Sequence, residues 1–412
     1  MQPNLSKSRP TRVGFLTNMY TPYKEAMFRE IARLVDLKVY YCAERESDRD
    51  WEVKFSETYD YELLPGKTWN FGKRKLHYNP TFASRIAADN IDVMIVGEWC
   101  NPTVMLAPFW LRSRGTPRIL WSGSTALEQG KFRILTEPIK RLIVAQYEGY
   151  VNYTRKASDY VQSLGAPADK TTVAPVTIDT DFFYAESQRL RVEQGRDMLR
   201  DKYGIREDDL SVFFVGQMIY RKGVDLLIDA VAKLGLGRPV KVHLAGNGPE
   251  MDAFKERAIA TGLDDDFVFH GHCSQDKLVE LYVACDLFTL PSRQEPSGNV
   301  INEAMTTGLP VVVSSQVGCD CVADSKTGLV FESGNVDSYL KSLREILSND
   351  AKRKEMGRAA QVDLLTKFSI QIEANQFAKA VERVLKSRGA TFVPLAPIDS
   401  LLNALPDELT QN

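Results

Sequence analysis

The stretch PSRQEPSGNVINEAMTTGLPVVV, Pro291 to Val313, passes through three local structures in quick succession. A turn of small residues runs into a short helical segment, the helix stops at Gly308–Pro310, and a β-branched run follows. Placed after the strand-like LFTLPS, this reads as one strand–helix–strand unit. Two glutamates, Glu295 and Glu303, stand eight positions apart around the helix start. A helix start presents free N–H groups that favour an anion, so carboxylates flanking it are placed to hold something other than the anion itself.

Working outward, the same alternation fills the chain. RVGFLTN, LKVYYCA, DVMIVGE and RILWSG read as buried strands in the first half, with KEAMFREIARLV as an amphipathic helix between the first two. The pattern restarts at SVFFVGQ (Ser211 to Gln217) and runs through VKVHLAG, FVFHGH and LFTLPS, with helices GVDLLIDAVAKLG, EMDAFKERAIATG and QDKLVELYVAC between them. Alternating strands and helices mean βαβ units and parallel sheets. The restart predicts two doubly wound, Rossmann-like α/β domains facing across a cleft, with the join near VAPVTIDTDFFYAESQ, where Pro175 and the turn residues Asp179 to Asp181 break the pattern. The expected division is a first domain, 1–182, a second domain, 183–388, whose last helix has the alternative of packing back on the first domain, and a tail, 389–412, to which no chemistry is assigned. Ligands of such folds sit outside the carboxyl ends of the strands.

A chain of 412 residues exceeds a single core, and 44% hydrophobic with 26% charged residues is the composition of an ordinary globular enzyme. Up to Leu190 the chain has a net charge of +4 and beyond it −6, too even a balance for a nucleic-acid partner. No apolar run is long enough for a membrane span, and MQPNLSKSRPTR has no apolar core of a signal peptide. Six dispersed cysteines without a C-x-x-C predict a reduced, cytoplasmic protein with cysteines as small core residues.

Three segments of the second half carry chemistry at strand ends. GQMIYRKGVD contributes Gly216, Gln217, Arg221 and Lys222 ahead of a helix start, where a cation suits a bound anion. LAGNGPE contributes Gly246 and Asn247, but Gly-x-Gly-Pro does not complete the dinucleotide fingerprint. In the opening stretch the N–H groups of Ser297, Gly298 and Asn299 are expected to hold a diphosphate. Glu303 then accepts the paired hydroxyls of a ribose, and Glu295 lies on the far side of the phosphates, beside a sugar. His270, in FVFHGH at a strand end, is expected to make a structural or base-side contact.

These residues resemble a family 4 retaining glycosyltransferase of the GT-B fold. The E-x7-E pattern matches as Glu295 and Glu303, and FVGQMIYRKGVDLLIDA, LAGNGP, FHGH, ACDLFTLPS and GLVFESGNVDSYLKSL follow in the family's order, over roughly Val151 to Leu385. The resemblance implies that Lys222 binds the donor diphosphate, Glu303 the ribose and Glu295 the donor sugar, with Lys222 and Glu295 as the catalytic pair. It implies a nucleoside-diphosphate sugar as co-substrate, a saccharide or lipid-linked acceptor, and surface polysaccharide biosynthesis, with 1–182 as the acceptor-side domain and 183–388 as the nucleotide-sugar-binding domain. Two departures stand out: Gln217 replaces an arginine that many members carry, and the acceptor half lacks the family's histidine and Gly-Gly loop. Tyr23, Lys24, Glu98, Ser122 and Glu128 are the acceptor-side candidates.

Neither LDDDF (Leu263 to Phe267), an ordinary aspartate turn, nor Cys319-Asp320-Cys321, whose spacing fits no tetrahedral pattern, reads as a metal site, so no metal and no other cofactor is expected. Basic and aromatic residues in PFWLRSRGTPR (Pro108 to Arg118) and KFRILTEPIKR (Lys131 to Arg141) predict peripheral contact with the inner face of an anionic membrane. The rival readings are a GT-B-shaped sugar-nucleotide epimerase and a non-catalytic nucleotide-binding subunit.

Overall fold

Apolar β-branched runs flanked by amphipathic helices bury both faces of a sheet, the condition under which parallel strands occur. The structure, a computed structural model, describes residues 9–44, 55–71, 74–99, 101–126, 133–322 and 324–404. The chain forms two compact units, one of residues up to Val176 together with Ile370–Pro406, the other centred on Thr177–Ser369.

In the first unit, among the described residues, β1 (Arg12–Met19), β2 (Asp36–Ala43), β3 (Asp60–Leu63), β6 (Val93–Gly97), β7 (Arg118–Ser122), β8 (Gly149–Asn152) and β9 (Thr171–Val173) form one sheet in the order β3-β2-β1-β6-β7-β8-β9, every pair parallel. An antiparallel hairpin of β4 (Lys67–Phe71) and β5 (Arg74–Tyr78) is inserted before β6. The two faces of the sheet carry separate cores. On one, Phe15 and Trp121 pack edge-on to each other and both against Phe377. On the other, Leu16, Val96 and Leu120 pack with Val104 and Leu111 of the helix Pro102–Ser113.

Phe377 belongs to the helix Ile370–Ser387, which lies in the first unit, the alternative that the sequence reading leaves open for the last helix of 183–388. Its buried stripe of Ala374, Phe377, Ala378, Val381 and Val384 fits the first sheet's face, and connectivity along the chain carries no information about that choice. The segment after it is docked as well: Thr11 and Val393 exchange two hydrogen bonds at 2.8 Å, and Leu401 is buried in the same core. The boundary also falls at Val176–Thr177, because Asp179 caps the helix Thr180–Glu193 of the second unit at Phe182 N.

The second unit's sheet runs β12-β11-β10-β13-β14-β15, again all parallel, with β10 (Leu210–Val215), β11 (Val240–Ala245), β12 (Phe267–Gly271), β13 (Leu287–Leu290), β14 (Val311–Ser314) and β15 (Gly328–Phe331). The cysteine expectation needs correcting. Cys42, Cys273 and Cys285 are buried, but Cys319 and Cys321 form a disulfide, their Cα atoms 5.4 Å apart in the turn after β14. Cys100 lies outside the described residues.

At the amino end of this sheet, buried Arg200 donates to the carbonyls of Arg206 and Asp209 at 2.8 and 2.7 Å and pairs with Asp286 at 3.3 Å. Asp286 in turn accepts from Ser211 N and from Arg196. Breaking a buried pair leaves the remaining charge uncompensated, a loss of about 3–5 kcal/mol. Arg200→Ala is therefore expected to lower the unfolding free energy of the second unit by that amount in a urea titration; a change below about 1 kcal/mol would mean that water or Arg196 replaces the guanidinium without loss.

Candidate functional site

The strand order reverses between β10 and β13, with β11 on the other side of β10. Loops leaving two such strands diverge and open a space at their carboxyl ends. The loop after β10 carries Gly216, Gln217, Arg221 and Lys222, and the loop after β13 carries Glu295, Ser297 and Gly298.

Two features press these loops together. Gly223 has φ +73°, and a Cβ there would lie 2.1 Å from the carbonyl oxygen of Pro291, so only glycine permits the approach. Arg293 then bonds both oxygens of Asp225 at 2.8 and 2.6 Å, donates to Tyr220 O at 2.8 Å, and stacks 3.8 Å over the Tyr220 ring. Its own N–H donates to Arg221 O at 2.8 Å. With the loops so fixed, Lys222 Nζ forms an ion pair with Glu295 Oε2, both side chains nearly buried. Arg221 donates to Gln294 O at 2.7 Å and lies 4.0 Å from Glu295, whereas Gln217 is exposed. The second cation beside Lys222 is thus Arg221.

The helix Asn299–Thr306 starts at Gly298, φ +71°, without a side-chain cap, which leaves its first N–H groups available. Ser292 Oγ and Asn299 Oδ1 next to it are buried with no hydrogen-bond partner among the described residues, the condition of polar atoms that await a ligand or water. Glu303, one turn on, is 3% exposed and accepts a hydrogen bond from Tyr282 Oη at 2.9 Å. Burial pushes its carboxyl up to about 7, with the Tyr282 hydrogen bond acting in the opposite direction.

Beyond β10, β11 and β12 the ladder continues through the loops. Gly216 N donates to Ala245 O at 2.9 Å, Met218 N to Asn247 O at 3.0 Å and Gly246 N to Gly271 O at 2.7 Å, so Gly216, Gly246 and Asn247 share one rim. His270 does not join it through its side chain. Its ring stacks on His243 with Nε2 2.9 Å from His243 Nδ1 and meets the edge of Tyr203. Burial pushes His243 down to about 3 and His270 down to about 4, so the pair is held neutral.

In the first unit the order reverses between β1 and β6, and Lys24 and Glu98 lie at those two strand ends. Lys24 donates to Thr17 Oγ1 at 3.0 Å and Asn18 Oδ1 at 2.7 Å and sits 5.6 Å over the Trp121 ring. Tyr153, in ring contact with Trp121, donates to Glu98 Oε1 at 3.0 Å. Glu98 has φ +62°, an unusual backbone for a residue other than glycine and one that persists where its surroundings enforce it. Ser122 is fully buried and accepts from Ser124 N at 3.3 Å, and Tyr23 is half-buried in the helix Pro22–Ala32. Glu128 lies outside the described residues. Among those residues no group of three His, Cys, Asp or Glu is placed to hold a metal; Asp266 pairs instead with Lys241 at 2.8 Å.

Sequence reasoning missed Arg293, Asp225, Tyr282 and Tyr153. The opposite charges in PSRQE and RKGVD were a signal for the first two, but nothing in the spacing connects residues so far apart.

Residues 195–363 match the model of the family described as Glycosyl transferases group 1. The chain is 31% identical to the D-inositol 3-phosphate glycosyltransferase of Corynebacterium aurimucosum over 55% of its own length and 54% of that protein's. It is 27% identical to the GDP-mannose-dependent alpha-(1-6)-phosphatidylinositol monomannoside mannosyltransferase of Mycobacterium tuberculosis over 73% of its length and 75% of that protein's. The chain spans about half the length of the first curated relatives it matches. The crystal structure of Anabaena HepE in complex with UDP superposes with a TM-score of 0.68 at 18% identity, covering 90% of this chain and 100% of that one. That likeness shows the fold, GT-B, with two Rossmann-like units.

The raised carboxyl of Glu303 has a stability consequence. A group whose pKa is higher folded than unfolded stabilises the fold fully below its unfolded value and loses that contribution as pH rises through the folded one. The contribution of Glu303 is therefore lost between about pH 4.5 and about pH 7. Glu303→Gln is expected to gain up to about 3 kcal/mol relative to wild type between pH 5 and pH 8, measured as the difference in denaturant midpoints; parallel pH profiles for the two proteins would place the titration elsewhere.

Proposed function

We propose that the chain is a glycosyltransferase that moves a sugar from a nucleoside-diphosphate sugar to a hydroxyl of a saccharide or lipid-linked acceptor, retaining the anomeric configuration, in surface polysaccharide biosynthesis. The observation that carries this reading is the convergence of Lys222, Arg221 and an uncapped helix start on one switch point, with Glu295 and Glu303 on either side. A UDP complex of a neighbouring fold, and the inositol phosphate and phosphatidylinositol monomannoside in the names of the relatives, support it.

In the proposed reaction the donor C1–O bond breaks and its electron pair passes to the leaving diphosphate, where Lys222, Arg221 and the helix N–H groups stabilise the charge. The acceptor oxygen bonds to C1 on the same face and gives its proton to the departing phosphate oxygen. No metal enters this scheme, because the two cations and the helix start take the place of one. Glu303 accepts from ribose hydroxyls, and Glu295, released from Lys222 as the phosphates arrive, turns to the donor sugar. Lys24 and Glu98 are the proposed acceptor-side groups, with Tyr153 positioning Glu98.

Lys222→Ala is expected to lower kcat by roughly 10²–10³ and, because it leaves nearly buried Glu295 with only Arg221 at 4.0 Å, to lower the thermal midpoint as well; turnover is assayed well below that midpoint, first with UDP-glucose and then with other nucleotide sugars. Turnover near that of wild type at saturating donor removes Lys222 from the mechanism. Release of free sugar or isomerised donor without any acceptor would instead favour an epimerase.

A lipid-linked acceptor implies contact with a membrane surface. No helix among the described residues is long and apolar enough to cross a membrane. The adjacent helices Pro102–Ser113 and Arg133–Val144 leave Leu106, Phe109, Ile139 and Leu142 exposed, with Arg112, Arg114 and Arg141 exposed around them. Apolar side chains with basic neighbours suit the interface of an anionic bilayer, each basic residue contributing about 1 kcal/mol. The protein is expected to sediment with anionic vesicles at low salt and be released as salt rises, and Ile139→Glu with Leu142→Glu is expected to abolish sedimentation. Equal recovery in the supernatant with anionic and neutral vesicles favours a water-soluble acceptor.

A further inference from the structure

Beside the donor site lies a second piece of chemistry that the reaction above does not use. The turn after β14 carries Cys319 and Cys321, joined by a disulfide, with Cys321 2% exposed and Cys319 half-buried. A bridge between residues two apart closes so short a loop that it restrains the unfolded chain little. Its effect is on the native turn, and that turn is bonded to the Glu295 segment.

The bonding is direct. Glu295 N donates to Gln316 O at 3.1 Å, and Gly318 N donates to Glu295 O at 2.8 Å, so residues 316–318 form a bridge with Glu295 itself. Gly318 lies so close to the Glu295 segment that a Cβ would stand 2.0 Å from Pro296 O. The next residue is Cys319, whose Sγ is 3.5 Å from Asn302 Oδ1 on the helix Asn299–Thr306 and accepts from Cys321 N at 3.3 Å. The carbonyl of Cys321 accepts from Thr327 Oγ1 at 3.4 Å, which ties the far side of the turn to the approach to β15. One covalent ring therefore touches both the strand end that carries Glu295 and the helix that carries Glu303.

We propose that Cys319-Asp320-Cys321 is a thiol–disulfide modification site that sets the order of the Glu295 segment. A thiolate of a dithiol reductant attacks Cys319 Sγ, the more accessible sulfur; the S–S bond breaks and its electron pair leaves on Cys321 Sγ, which takes up a proton. The reductant's second thiolate then attacks the mixed disulfide and releases Cys319 as a thiol, leaving the reductant as a cyclic disulfide. A disulfide oxidant reverses both steps. With the ring open, the turn loses its closure, and the two backbone bonds at Glu295 are expected to open more often. The consequence for donor binding rests on the function proposed above; the bond and its effect on the segment do not.

The test uses the full chain, purified without reductant. Alkylation followed by peptide mapping is expected to leave the peptide containing Cys319 and Cys321 unlabelled until dithiothreitol is added, and then to label it twice. Hydrogen exchange is expected to quicken at least tenfold on reduction in peptides spanning 293–302 and 312–322 and to stay unchanged in one spanning 210–215. The doubly substituted Cys319→Ser, Cys321→Ser chain is expected to match the reduced protein even after treatment with glutathione disulfide. Full alkylation without reductant overturns the proposal, as does identical exchange in the oxidised and reduced wild-type chains. Both readings hold whether or not UDP-glucose binds, and a loss of its binding on reduction, with the exchange result in place, adds that the site governs the donor.

Discussion

The close approach of Gly223 to the carbonyl of Pro291 is the constraint on which the site depends. Any side chain at that position would force the loop after β10 away from the loop after β13. Arg293 works in the same direction by tying Tyr220, Arg221 and Asp225 to the opposite loop. A lysine and a glutamate 73 positions apart then meet in a nearly dry setting, where a charge without a partner is costly. In the proposed reaction the donor phosphates take the place of Glu295 as the partner of Lys222 and free that carboxylate for a new contact.

Glu303 sets up the opposite situation. It is buried against Tyr282 with no cation beside it among the described residues, and its carboxyl is raised accordingly. A carboxyl so placed weakens the fold at neutral pH, and an apolar side chain of similar volume would not. This fits the binding role proposed for Glu303, since paired hydroxyls donating to it would favour the ionised form. Ser292 Oγ and Asn299 Oδ1, also buried and unpartnered among the described residues, belong to the same pattern.

Much of the fold was legible because hydrophobic period reports local structure directly. The strands RVGFLTN, SVFFVGQ and VKVHLAG and the helices between them follow from alternation and length alone, and so do the two parallel sheets. The helix Ile370–Ser387 shows where this stops. Its amphipathic stripe announces a buried face, but which sheet receives that face depends on the shape of Phe377 against Phe15 and Trp121. The hairpin before β6, whose exposed Trp69 lies almost parallel to Tyr78, was not read at all, because its aromatic and basic residues do not alternate cleanly.

For the site, the sequence by itself determined the residue types and their local frames: glycine and lysine after one strand, glutamate ahead of a helix start after another, and a second glutamate one turn into that helix. These are short-range properties, fixed by turn chemistry and by the helical repeat. Tertiary structure alone decided the partners. It set Arg221 rather than Gln217 beside Glu295, turned the ring of His270 onto His243 instead of the strand-end rim, and joined Cys319 to Cys321 next to Glu295. The reason is that strand order, which brings β10 beside β13 and β14 beside β13, is settled by how whole sheets and helices pack, and no window of sequence contains that information.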